Sequence, residues 1–117
     1  EHIKLVAEVS GMHFHWYGED KPVADVARSA VMVGAHAVEI ANPDEETSNQ
    51  LISEIKKTNP DLPVILGGYT NHENAARRLA EADGAFVGTC LEKGKWGGEI
   101  DVDKVRAYVD IVRNLEK

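Results

Sequence analysis

The chain has 117 residues, 43% hydrophobic and 28% charged, with a formal charge of −7. This length supports one domain with its own core but falls well short of the roughly 250 residues of a complete eight-unit barrel. The acidic balance argues against a nucleic-acid footprint or an anionic membrane surface.

The single cysteine, Cys90, leaves no internal disulfide or multi-cysteine zinc site and fits a reducing, cytoplasmic setting. No apolar run approaches the roughly 20 residues of a transmembrane helix, and no signal peptide is visible. The chain opens at Glu1 with a strand pattern two residues later, so sequence upstream is expected to be missing from it. A small phosphorylated ligand remains compatible with the net charge, because backbone N–H groups and one or two local cations suffice to hold a phosphate.

In chain order, Ile3–Val9 alternates, with Ile3, Leu5, Ala7 and Val9 on one face and Lys4, Val6 and Glu8 on the other, the pattern of a strand. A glycine-bracketed loop follows, carrying His13 and His15 beside Trp16 and Tyr17. Pro22 opens a helix over Pro22–Val33 that stops at Gly34. His36–Ala41 is a second strand, with Glu39 among small residues. Asn42-Pro43-Asp44-Glu45 reads as a helix start with an Asn cap, and Leu51, Ile52 and Ile55 form that helix's stripe until Asn59-Pro60.

Pro63–Leu66 is the third strand, ending in Gly67-Gly68. Thr70-Asn71-His72-Glu73 matches a capping box, so the third helix is expected to begin beside those glycines, with Ala75, Ala76, Leu79 and Ala82 as its thin apolar face. Gly84–Val87 is the fourth strand, ending in Gly88-Thr89. Asp101 then caps a last helix with Val102, Val105, Tyr108, Val109, Val112 and Leu115 inward.

Four strand–helix units without a hairpin signal predict an α/β fold with a parallel sheet and right-handed crossovers, one domain over 1–117. Two arrangements compete: half of an eight-unit barrel, or a small flavodoxin-like, doubly wound sheet. Lys4, Glu8 and Glu39 fit more easily toward a barrel interior near its ligand end than between two helical layers.

The last two units, VILGGYTNHEN and ADGAFVGTCLEKGKWGGEIDVDKVRAYVDIVRNL, resemble the C-terminal end of BtpA/SgcQ family proteins, which are (β/α)8 barrels. The resemblance is carried by Gly67, Gly68, Thr70 and Asn74, by Asp83, Gly84, Val87, Gly88 and Thr89, and by Lys93, Gly94, Val102, Asp103, Val105 and Arg106. It implies the C-terminal four βα units of a TIM (β/α)8 barrel. The family is described variously as nucleosidases and as photosystem assembly factors. Met12 stands where the family carries lysine, and Asn42-Pro43-Asp44-Glu45 replaces its Gly/Thr-rich loop.

The expected ligand end comprises loops 10–21, 42–45, 67–71 and 88–98. Gly67, Gly68, Thr70, Gly88 and Thr89 are candidates for a phosphate cradle, since barrels often hold phosphate in the loops after the last two strands. The bland alternative is that the glycines only make tight turns. Glu8, Glu39 and His13 are the catalytic candidates: paired carboxylates suit acid and base roles or form a polar network with Lys4, and a loop histidine can act as a base. No metal site is read, the cofactor is open, and Cys90 is expected to line a loop rather than act as a nucleophile.

The expected partners are a small phosphate-bearing ligand and either a missing N-terminal half or a second copy of the chain. The function classes are a nucleosidase-type or sugar-phosphate enzyme, a non-catalytic assembly or stability factor, and a structural half-barrel.

Overall fold

A computed structural model describes residues 2–11, 17 and 20–115. Four parallel strands, β1 (Val6–Ser10), β2 (Ala37–Ile40), β3 (Val64–Leu66) and β4 (Gly84–Ala85), form one sheet in the order β1-β2-β3-β4. They alternate with α1 (Val23–Met32), α2 (Glu45–Thr58), the short α3 (Ala75–Arg78) and α4 (Val102–Arg113). A doubly wound sheet reverses its strand order at a switch point. This sheet has no reversal, and each helix packs on the next in the row, so the helices share one face. The fold is α/β, and its arrangement is half of a TIM barrel rather than the flavodoxin-like alternative.

Strand alternation divides the residues between the two faces. Val9, Val38, Ile40, Val64 and Leu66 are buried against Ala27, Ile52, Ile55, Ala75, Leu79 and Tyr108 from the helices. On the other face Glu8, Glu39, Ile65 and Gly84 fall in one row across all four strands. That row faces a barrel's interior, and here it is open: Val6 and Glu8 are exposed. The register slips between Glu8 and Ser10, the mark of a bulge at the end of β1.

Several local expectations shift. Asp44, not Asn42, caps α2, accepting from the Thr47 amide at 2.8 Å and the Thr47 hydroxyl at 2.7 Å. Asn42 instead accepts from the Asp44 amide at 2.9 Å, forming a turn ahead of the cap. The capping box at Thr70 does not form. Asn71 accepts from the Glu73 and Asn74 amides, and the helix begins only at Ala75. Asp101 caps α4 as expected, through the Asp103 and Lys104 amides. Tyr108 is buried and Ile111 packs on the core, whereas Val102 and Val112 are exposed. Among the described helices, α4 is the last in the row.

Candidate functional site

The C-terminal ends of β3 and β4 open into a cleft of about 940 Å³. Its walls are the loop Gly67–Asn71, the segment from Phe86 to Cys90 that follows β4, and Trp96 from the next loop. The five residues expected to cradle a phosphate, Gly67, Gly68, Thr70, Gly88 and Thr89, all line this one cleft. Thr89–Leu91 forms a single 3-10 turn shortly after β4.

The two glycine-bearing walls differ in a way their sequences do not reveal. A Cβ at Gly67 would lie 2.0 Å from Glu39 Oε1, so the Glu39 carboxyl group rests over this glycine. A Cβ at Gly88 would meet nothing within 4 Å. Gly67 makes room for a neighbouring strand's acid, whereas the space over Gly88 belongs to the cleft.

Glu8 and Glu39 stand directly opposite each other in the β1–β2 register. Glu8 leans toward Gly11 as Glu39 leans toward Gly67, with Glu8 Oε1 1.7 Å from where a Gly11 Cβ would be. Both acids therefore reach toward the C-terminal ends of the strands, the ligand end of a barrel. Glu39 is half-buried and borders the cleft wall, while Glu8 is exposed one strand farther away. His13, with His15 and Trp16, lies outside the described residues.

Thr70 is fixed from below. The Tyr108 hydroxyl donates to Thr70 Oγ1 at 2.8 Å, and the Tyr108 ring meets His72 edge-on with centroids 5.6 Å apart. Burial pushes the Tyr108 phenol above its usual pKa, which keeps it a donor. Burial also raises the Cys90 thiol, against a smaller lowering by the Cys90 backbone amide and Lys104. A half-buried thiol kept protonated lines the cleft without the character of a nucleophile.

Local patterns gave no sign of Arg78. It is 5% exposed and donates to the carbonyls of Asn42 (3.0 Å) and Pro43 and to Ser48 Oγ (3.4 Å), tying the loop after β2 to α3. Arg77 beside it is largely exposed, and the acceptors of Arg78 lie some 35 residues earlier. Trp96 falls within the expected ligand-end loop 88–98 without being singled out there, although glycines on both sides of a tryptophan are a signal for an exposed loop tip. Among the described residues, no group of three His, Cys, Asp or Glu is placed to hold a metal ion, and no helix is long and apolar enough to cross a membrane.

The BtpA family model matches residues 1–114 of the chain. A tryptophan synthase alpha chain of Wolinella succinogenes is 37% identical over 71 residues, covering 61% of this chain and 28% of that protein. An uncharacterized protein of Methanocaldococcus jannaschii is 31% identical over 119 residues, covering 97% and 44%. Among solved structures, a designed cube-shaped, highly porous protein cage made by fusing symmetric oligomeric domains aligns with TM-score 0.62 and 26% identity, over 77% of this chain and 34% of that one. The chain spans less than half the length of each of these relatives.

Proposed function

We propose a function from an established premise: the chain belongs to the BtpA family. The proposal is that its half-barrel binds a small phosphorylated or nucleoside-like ligand at the C-terminal ends of β3 and β4. The carrying observation is the single cleft that gathers Gly67, Gly68, Thr70, Gly88 and Thr89. A barrel's usual phosphate site uses the loops after its last two strands and a short extra helix, and the 3-10 turn at Thr89 supplies the third part.

Chemistry of the nucleosidase type would draw on Glu39. A carboxylate beside a sugar can activate water or stabilise an oxocarbenium-like state, the two roles that glycosidic hydrolysis divides between acids. Its place against Gly67, on the cleft wall, supports Glu39 over Glu8 for the nearer role.

Titration calorimetry of the full-length protein with inorganic phosphate tests the binding reading. Gly88→Asp puts a negative side chain into open space and is expected to weaken phosphate binding at least tenfold, about 1.4 kcal/mol. Equal heats for the two proteins would remove the cradle.

The open sheet face favours a second element of the proposal. Four further βα units complete the barrel over Glu8, Glu39 and Ile65, and a relative of more than twice this length favours a further segment of the same chain over a second copy. Intact mass with light scattering distinguishes these: a long monomer supports the further segment, and a dimer of short chains supports the second copy.

A further inference from the structure

Among the described residues there are five Trp, Tyr and Phe rings, and three of them, Tyr69, Phe86 and Trp96, line the cleft that also carries the glycine-ended strands. All three are open to solvent there: Tyr69 is 40% exposed, Phe86 55% and Trp96 83%. The core takes the other route with Tyr108, which is buried. Large apolar rings left outside the core and collected at one place mark a surface made for contact.

Trp96 does not sit on a loose loop. Glu92 and Ile100 form an antiparallel bridge, and the Lys93 amide donates to the Glu99 carbonyl at 2.8 Å. The Gly98 amide closes the tip onto the Lys95 carbonyl at 2.9 Å, and the Asp101 amide closes the base onto Leu91 at 2.8 Å. Lys104 Nζ donates to the Glu92 carbonyl at 2.8 Å, fastening the loop to α4. Gly94 and Gly97 take φ values of 82° and 78°, and a Cβ at Gly98 would lie 2.7 Å from the Lys93 carbonyl oxygen. The loop is therefore shaped to hold the tryptophan at its tip.

Tyr69 meets the cleft from the other wall at a conformational cost. Its φ of 62° is the one positive value outside glycine among the described residues. Asn74 Nδ2 donates to the Tyr69 carbonyl at 3.0 Å and holds that backbone in place. An uncommon backbone conformation kept on a binding wall is where strain and function coincide.

We infer that Trp96 and Tyr69 form a stacking platform for the planar heteroaromatic ring of the ligand whose phosphate sits at Gly88 and Thr89, so that the cleft selects nucleotides over sugar phosphates. The inference rests on the phosphate reading above and adds the substrate class. Aromatic side chains hold a base by its π-face and tolerate its edge, so the platform confers preference for a ring without specifying which base. Neutral rings also impose no charge penalty beside the phosphate.

Calorimetry on the full-length protein with AMP, ribose 5-phosphate and inorganic phosphate tests this. AMP is expected to bind at least tenfold tighter than ribose 5-phosphate. Trp96→Ala should remove about tenfold from AMP affinity and leave ribose 5-phosphate unchanged, while Trp96→Phe keeps most of the AMP preference. Equal affinity of wild-type protein for AMP and ribose 5-phosphate, or an equal loss of both in Trp96→Ala, overturns the platform and leaves the phosphate cradle standing. Failure of all three ligands to bind overturns both.

Discussion

The two ends of the sheet use polar residues in opposite ways. At the N-terminal end, side chains are consumed by the backbone. Asp83 Oδ2 accepts from the Val64 amide at 2.8 Å and pairs with Lys56 of α2, and His36 Nδ1 accepts from the Leu5 amide at 3.0 Å. At the C-terminal end the strands finish in glycine and threonine, the cleft opens, and Glu39 leans into it. One end therefore holds the sheet together, and the other is left available. Arg78 qualifies the contrast, because it sits near the open end yet anchors a loop.

Substitutions at the two ends should separate stability from binding. The largest effect belongs to the closed end. Asp83→Ala leaves the buried Val64 amide without its acceptor and is expected to cost about 2 kcal/mol, most of it from that amide rather than from the partly exposed Lys56 pair. Asp83→Asn should recover part of this in urea unfolding, and phosphate affinity should stay the same in both. A loss of binding in parallel with stability would erase the distinction between the ends.

A smaller effect of opposite kind belongs to the open end. If Glu39 borders the anion, Glu39→Gln removes a like charge and should tighten phosphate about threefold at low salt, a few tenths to one kcal/mol by Coulomb's law in a watery cleft. Glu8→Gln, one strand farther off, should change affinity less. Calorimetry showing the reverse order would put the phosphate at the β1 side.

The smallest effect lies in the cap of α2, in the loop after β2. Asp44 has its carboxyl pKa lowered first by the Thr47 hydroxyl, then by the Thr47 amide, with Arg78 adding to it. A pKa lowered on folding contributes stability that is complete above the unfolded value and is lost as pH falls through the folded one. Wild-type stability should therefore decline on acidification through the carboxylate range more than that of Asp44→Asn. Superimposable pH profiles in thermal melts would remove Asp44 from the account.

Much of the architecture is legible in local pattern because its causes are local. Apolar runs with β-branched residues end at glycine, and Asp101 announces α4 from the position immediately before its first residue. The third helix misleads for a reason that is also physical. Thr70 has the right spacing to Glu73 for a capping box, but Asn71 reaches the same amides first, and the Thr70 hydroxyl is taken by Tyr108, 38 residues away.

The glycines were legible as strand ends, but their division of labour was not. What rests on Gly67 comes from the adjacent strand, and no spacing along the chain encodes a neighbour's side chain. Arg78 is hidden by the same circumstance, since its burial is set by carbonyls from a different unit.

The strand order β1-β2-β3-β4 has a consequence for assembly. Strands pair with their sequence neighbours, and each helix leans on the next, so one unit's interfaces resemble the next unit's. Such a chain behaves like a short one-dimensional array, in which structure formed in one unit is a template for its neighbour. Growth at either edge requires no rearrangement of what is already folded, and curvature alone ends it when the first strand meets the last. Duplication of a four-unit gene segment would, by that logic, extend the array toward closure while leaving every existing contact intact.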